Sequence, residues 1–237
     1  MKPVAILRHA ASEGPGHFAG FLDARSIAWQ LVAIDAGQAV PPSAARFSGI
    51  ALMGGPMSVN DDLPWIAPVL ELIRDAVRRD APVLGHCLGA QLMAKAFGAT
   101  IGVTPAKEIG WGRVDVADNA AAREWFGELQ SFEAFHWHGE TFTIPPGATR
   151  VLGNALCANQ GFALGKHFGL QCHVEMTSEL VRSWCELGRD EIEASASSPG
   201  VQRPEEMQRD LERRVAALHE VADVVYERWS VRLSRGS

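Results

Sequence analysis

The chain reads as an α/β fold of three layers: a central, mostly parallel open sheet flanked by helices, with antiparallel strands added to it. Three observations predict this. Residues 4–7, 29–34, 49–53 and 82–85 are short continuous apolar runs without polar alternation, the pattern of parallel strands covered on both faces. Residues 63–79 carry Ile66, Val69, Leu70, Ile73 and Val77 at helical spacing between two of those runs, which implies right-handed crossovers. The run at 82–85 passes directly into Gly85-His86-Cys87-Leu88-Gly89 and a second helical pattern.

Taken in order, strands are expected at 4–7, 29–34 and 49–53, the third running into Gly54-Gly55-Pro56. A helix over 63–79 follows, with Pro64 suited to its first turn. Next come a strand to Gly85, a sharp turn, and a helix from Leu88 to about Phe97 closed by Gly98. Short strands are expected at 113–116, 131–136, 149–156, 161–164 and 168–173, several of them antiparallel additions. A helix is expected over 178–187, a polar loop over 188–204, and one long amphipathic helix over 203–232. Its stripe of Met207, Leu211, Val215, Leu218, Val225 and Trp229 covers the core or serves a homodimer. The chain is expected to form one domain, 1–237, with a motif-bearing core at about 1–187 and a C-terminal helical extension at about 188–237.

Composition narrows the function. The formal net charge of the 237 residues is −6, which gives no support for nucleic-acid or anionic-membrane binding. No run approaches the roughly 18–20 apolar residues of a membrane helix. Cys87, Cys157, Cys172 and Cys185 show neither a disulfide framework nor zinc spacing, so a reducing, cytoplasmic setting is expected. No Gly-rich phosphate loop and no cofactor motif is visible.

The chemistry gathers at three places. Gly-x-Cys-x-Gly between a strand and a helix is the cysteine form of a nucleophile elbow. The N–H groups of the helix start favour a thiolate. A buried cysteine packing as a small hydrophobe is the plain alternative. His173 and Glu175 lie two apart at a strand end, so their side chains share a face, as a base and its orienting group require. Cys172 alternates to the other face and reads as core. Gly54-Gly55-Pro56 can aim a backbone N–H at the same rim, and with the N–H of Leu88 this makes a two-donor oxyanion hole. His136, His138 and Glu140 share a face, but no further ligands with convincing spacing accompany them, so no metal is expected.

These segments resemble the class I glutamine amidotransferases, the type with a Cys-His-Glu triad. Gly85-His86-Cys87-Leu88-Gly89-Ala90-Gln91 is similar to their nucleophile motif, Gln171-Cys172-His173-Val174-Glu175 to their Gln-Phe-His-Pro-Glu motif, and Met53-Gly54-Gly55-Pro56 to their oxyanion segment. Val174 and Cys172 depart from the pattern without removing a reacting group. Lys107-Glu108-Ile109-Gly110-Trp111 and His136-Trp137-His138-Gly139-Glu140-Thr141-Phe142 resemble segments of free-standing members related to the amidotransferase domain of GMP synthase.

The resemblance implies a flavodoxin-like sheet and a set of roles. Cys87 is the nucleophile, His173 the base and Glu175 its orienting group. Gly55 and Leu88 form the oxyanion hole, while Gly54, Gln91, Trp137, His138 and Gly139 bind substrate. The expected reaction is hydrolysis of the glutamine side-chain amide, by the protein acting alone or with a separate synthetase subunit that accepts the ammonia. A γ-glutamyl peptidase using the same triad is the close alternative. A non-enzymatic elbow-cysteine regulatory protein is the distant one, and Leu88 counts against it because histidine often follows the cysteine there.

Overall fold

The computed structural model describes residues 2–233; Met1 and the last four residues of the expected extension, 234–237, lie outside the described residues. In chain order the elements are β1 (Val4–Arg8), α1 (Gly16–Ala24), β2 (Trp29–Ala33), β3 (Gly49–Leu52), α2 (Ile66–Arg78), β4 (Val83–His86), α3 (Leu88–Ala96) and β5 (Ile101–Val116). Then follow α4 (Ala120–Phe126), β6 (Ser131–Phe142), β7 (Thr149–Gly153), β8 (Gly161–Leu164), β9 (His167–Leu170) and α5 (Ser178–Leu187). The chain continues through α6 (Arg189–Ala194), β10 (Gly200–Val201), α7 (Pro204–Met207) and α8 (Leu211–Ser230).

The strands form one sheet in the order β10-β5-β7-β8-β9-β4-β3-β1-β2, with β6 paired to β5 off this path. Strands β2, β1, β3, β4 and β9 are mutually parallel. The antiparallel pairs β8–β9, β7–β8, β5–β7 and β5–β6 extend the sheet. Strand side chains alternate between two cores, as the pleat requires. Val4, Ile6, Ala51 and Leu84 pack with residues of α1, α4, α5 and α8. Ala5, Leu7, Ile50, Leu52 and Val83 pack with residues of α2 and α3. This is the expected three-layer arrangement. The carboxyl ends of β1, β3, β4 and β9 share one rim, where open α/β sheets bind ligands.

The structure corrects the sequence reading in four places. A helix, α1, joins β1 to β2 over nine residues and buries Phe18, Phe21 and Leu22; its glycines and lack of a side-chain cap hide it in the sequence. The short strands expected at 113–116 and 131–136 are parts of the long β5–β6 ribbon, disguised by Pro105 and an irregular register between Val103 and Glu108. The loop expected at 188–204 holds α6 and β10; β10 pairs with β5 at Glu108 and Ile109, and Ser198 Oγ donates to the Lys107 carbonyl (2.7 Å). The helix expected over 203–232 breaks between α7 and α8, where Asp210 takes φ +53°.

All six stripe residues of that region are buried in this chain's own core. The Tyr226 and Trp229 rings meet Phe18 edge-on at centroid distances of 4.8 and 5.7 Å. The stripe is therefore covered within the chain and is not a free face for a second copy. Among the described residues no helix is long and apolar enough to cross a membrane.

Candidate active site

Cys87 stands between β4 and α3 at φ +49°, ψ −110°. That backbone conformation is strained for a residue with a Cβ, and such strain persists only where the surroundings hold it. The Cys87 N–H donates to the Leu170 carbonyl of β9 (2.7 Å), and the Gln91 N–H closes the first helical turn onto the Cys87 carbonyl (3.1 Å). The glycines on either side allow the turn. A Cβ on Gly85 would lie 2.6 Å from the Ala90 nitrogen, and one on Gly89 would overlap the Leu52 carbonyl of β3. Gly89→Ala is therefore expected to destabilise the fold by about 1–3 kcal/mol, read as a lower unfolding midpoint in urea.

β9 ends at Leu170, short of the strand end at 173 that the sequence predicts, so His173 lies beyond the strand. A single bridge holds it, its N–H donating to the Phe135 carbonyl of β6 (2.8 Å). Its Nδ1–H donates to Glu175 Oε1 at 2.6 Å. The Trp184 ring meets the imidazole edge-on, centroids 4.9 Å apart. Both side chains of the pair are buried. Burial disfavours the imidazolium, but the Glu175 charge and then Cys87 reverse this and raise His173 well above its ordinary value. Burial would also raise Glu175; the His86 and His173 rings outweigh it and hold the carboxyl at about 2. His86 Nε2 lies 3.8 Å from Glu175 Oε2 and 3.2 Å from the Tyr226 hydroxyl of α8.

Cys87 and His173 line the same cavity, of about 420 Å³. Of the remaining expected site residues, Gly55, Gln91, Trp137, His138 and Gly139 also line it. Gln91 Nε2 donates to the Glu140 carbonyl and to Gln171 Oε1, both at 3.2 Å, and Gln171 Nε2 reaches Cys87 Sγ at 3.5 Å. Leu88 opens α3, so its N–H belongs to the unpaired set of a helix start. Gly54 does not line the cavity. Its missing side chain instead makes room for the Glu13 carboxylate, and a Cβ there would stand 3.2 Å from His173 Cε1.

Several lining residues escaped the sequence reading. Ser12 and Glu13 come from the loop after β1, Lys107 from β5, Trp184 from α5, and Gly188 and Glu191 from the start of the extension. Glu191 accepts from Trp137 Nε1 (2.8 Å) and pairs with Lys107. Only Lys107 lies inside a motif, Lys107–Trp111; the others become legible when the chain folds over the rim.

Behind this wall the fold gives His136 and His138 a third acid–base neighbour, Glu108. Its carboxylate accepts from Asn154 Nδ2 (2.6 Å), Gln160 Nε2 (2.8 Å) and His138 Nε2 (3.2 Å). Burial pushes His136 down to about 4. These ligand atoms lie within 4.8 Å of one another, but the carboxylate is satisfied by amide donors. The network fixes His138, and with it the cavity wall.

A profile of the family "Glutamine amidotransferase class-I" matches residues 22–183. The crystal structure of a glutamine amidotransferase from Methylobacillus flagellatus superposes with a TM-score of 0.97, at 46% identity, over 100% of this chain and 97% of that one. The glutamine amidotransferase-like protein YfeJ of Salmonella typhimurium is 29% identical over 80% of this chain and 82% of its own length. GMP synthase of Aeropyrum pernix is 31% identical over 64% of this chain, which spans only 29% of that enzyme. Gamma-glutamyl peptidase 3 of Arabidopsis thaliana is 27% identical over 57% of each chain. An elbow cysteine, a buried imidazole–carboxylate pair and a matching profile over most of the chain lead to one conclusion: this chain belongs to the class I glutamine amidotransferase family, whose fold it has.

Proposed function

We propose that the chain hydrolyses the side-chain amide of glutamine to glutamate and ammonia through a thioester on Cys87. The observation that carries this reading is the series of sulfur, imidazole and carboxylate: Cys87 and His173 on one cavity, and His173 bonded to Glu175 at 2.6 Å. His173 takes the proton of the thiol before the attack, and Sγ adds to the amide carbon as a thiolate beside the imidazolium. The N–H groups of Gly55 and Leu88 stabilise the tetrahedral oxyanion. His173 then gives its proton to the departing nitrogen, which leaves as ammonia. Water adds to the γ-glutamyl thioester, and the thiol is restored as glutamate leaves. Gln91 and the backbone of 137–140 hold the substrate, and Glu175 keeps the imidazole in the right tautomer.

The relation to GMP synthase supports a separate synthetase as the ammonia acceptor, and a thiol nucleophile suits a reducing cytoplasm. Ammonia release from glutamine by the isolated chain tests the reading; no release, alone or with a candidate synthetase, refutes it. The likeness to a gamma-glutamyl peptidase favours a second reading. There the same thioester forms from a γ-glutamyl peptide and an amine departs. Faster release of amine from γ-glutamyl peptides than of ammonia from glutamine would select it.

A further inference from the structure

We propose that Glu13 is an ammonium-recognising subsite: its carboxylate receives the free α-ammonium group of a substrate whose γ-carbonyl lies at Cys87. The inference rests on the thioester reading above and adds the substrate's head group to it.

The geometry supplies the first argument. Glu13 reaches the cavity of Cys87 and His173 because Gly54 carries no side chain; its Oε2 occupies the space a Cβ would need. The second argument is pairing. Among the described residues no hydrogen bond or ion pair reaches the Glu13 carboxylate, although it is partly buried. The neighbouring cations are committed elsewhere, His173 to Glu175 and Lys107 to Glu191. The third argument is charge. Burial, then Glu175 and Glu191, push Glu13 up against the opposing pull of His173, to about 7. A carboxylate so placed gains most from a cation brought by the ligand. The α-ammonium of glutamine, or of a γ-glutamyl conjugate with a free amino end, is such a cation. Glutamine within a polypeptide has none, so the subsite selects free γ-glutamyl compounds.

The test compares glutamine with glutaramate, which is glutamine without its α-amino group. Wild type is expected to prefer glutamine by about 10- to 100-fold in kcat/KM, chiefly through KM, and Glu13→Gln to lose that preference while turning over glutaramate within about threefold of wild type. Glu13→Asp, which keeps the charge, is expected to retain a preference for glutamine. Alkylation of Cys87 by iodoacetamide checks that each variant keeps an intact elbow. Absence of a preference in wild type overturns the proposal. So does an equal loss on both substrates in Glu13→Gln, which would place Glu13 in the chemistry or the fold. If wild type turns over neither amide, alone or with a candidate synthetase, the glutamine-hydrolysis reading fails separately. Protection of Cys87 from alkylation by glutamine but not by glutaramate then still supports the subsite, and equal protection or none overturns it.

Discussion

Replacing Cys87 with alanine is expected to cut ammonia release from glutamine by about four orders of magnitude or more while the chain stays folded. The loss is large for a chemical reason: without sulfur no thioester forms, and the remaining groups only orient water poorly. The fold survives because the thiol makes only weak contacts, 3.5 Å from Gln171 Nε2 and 3.8 Å from the Trp137 carbonyl. The residue at 87 keeps φ +49° in the variant, so the backbone strain remains. Cys87→Gly is as inactive but relieves that strain, and its urea midpoint is expected to equal or exceed that of Cys87→Ala. A glutamine-like diazo-ketone should mark Cys87 ahead of the other thiols. Burial raises Cys157, raises Cys172 well above its ordinary value and pushes Cys185 to about 11, and none of these three lines the cavity. Wild-type turnover in Cys87→Ala, or an adduct mapped to Cys172, would remove the assigned nucleophile.

The parallel half of the fold was legible because its signals are local. The runs that became β1, β3 and β4 are apolar on both faces, and the elbow glycines sit beside the sulfur in sequence. The ribbon of β5 and β6 was not, since Pro105 and the glycines at 102, 110 and 112 look like turns until a partner strand supplies the hydrogen bonds. The site divides the same way. Cys87, His173 and Glu175 announce themselves by motif. Glu13, Trp184 and Glu191 sit in unremarkable sequence, and only the rim of the sheet brings them together. The extension proved to be part of the site for the same reason: α6 carries Glu191 to Trp137, and α8 carries Tyr226 to His86. Gly54 marks the limit of motif transfer, because its role here is to yield space to a residue forty-one positions earlier, Glu13.

Glu175→Gln is expected to lower turnover by about 100-fold or more and to invert the acid response of this site. The amide keeps the shape of the carboxylate but can present either a donor or an acceptor to His173 Nδ1, so the tautomer is no longer fixed. The pH dependence separates charge from shape. In wild type Glu175 sits at about 2 against an ordinary 4.5. Its contribution to stability is present above 4.5 and is lost as pH falls towards 2. His173 is raised, so its contribution is full below 6.5 and fades only as pH climbs through its elevated folded value. The pair therefore stabilises the fold across mildly acid and neutral pH. Without the Glu175 charge, Cys87 is left as the main opponent of burial, and the imidazole shifts towards its neutral form. Stability is then lost as pH falls below 6.5, because the unfolded chain takes up a proton that the folded ring resists. His9, His136 and His167, each pushed down by burial to about 4, give both proteins that same acid slope. The difference between the two unfolding curves reports Glu175 together with the two rings that face it, His173 and His86. Urea midpoints measured from pH 5 to 8 should diverge as pH falls, the variant weakening first. Parallel curves would mean that the Glu175 charge does not hold the His173 proton, and the imidazole would need another anchor.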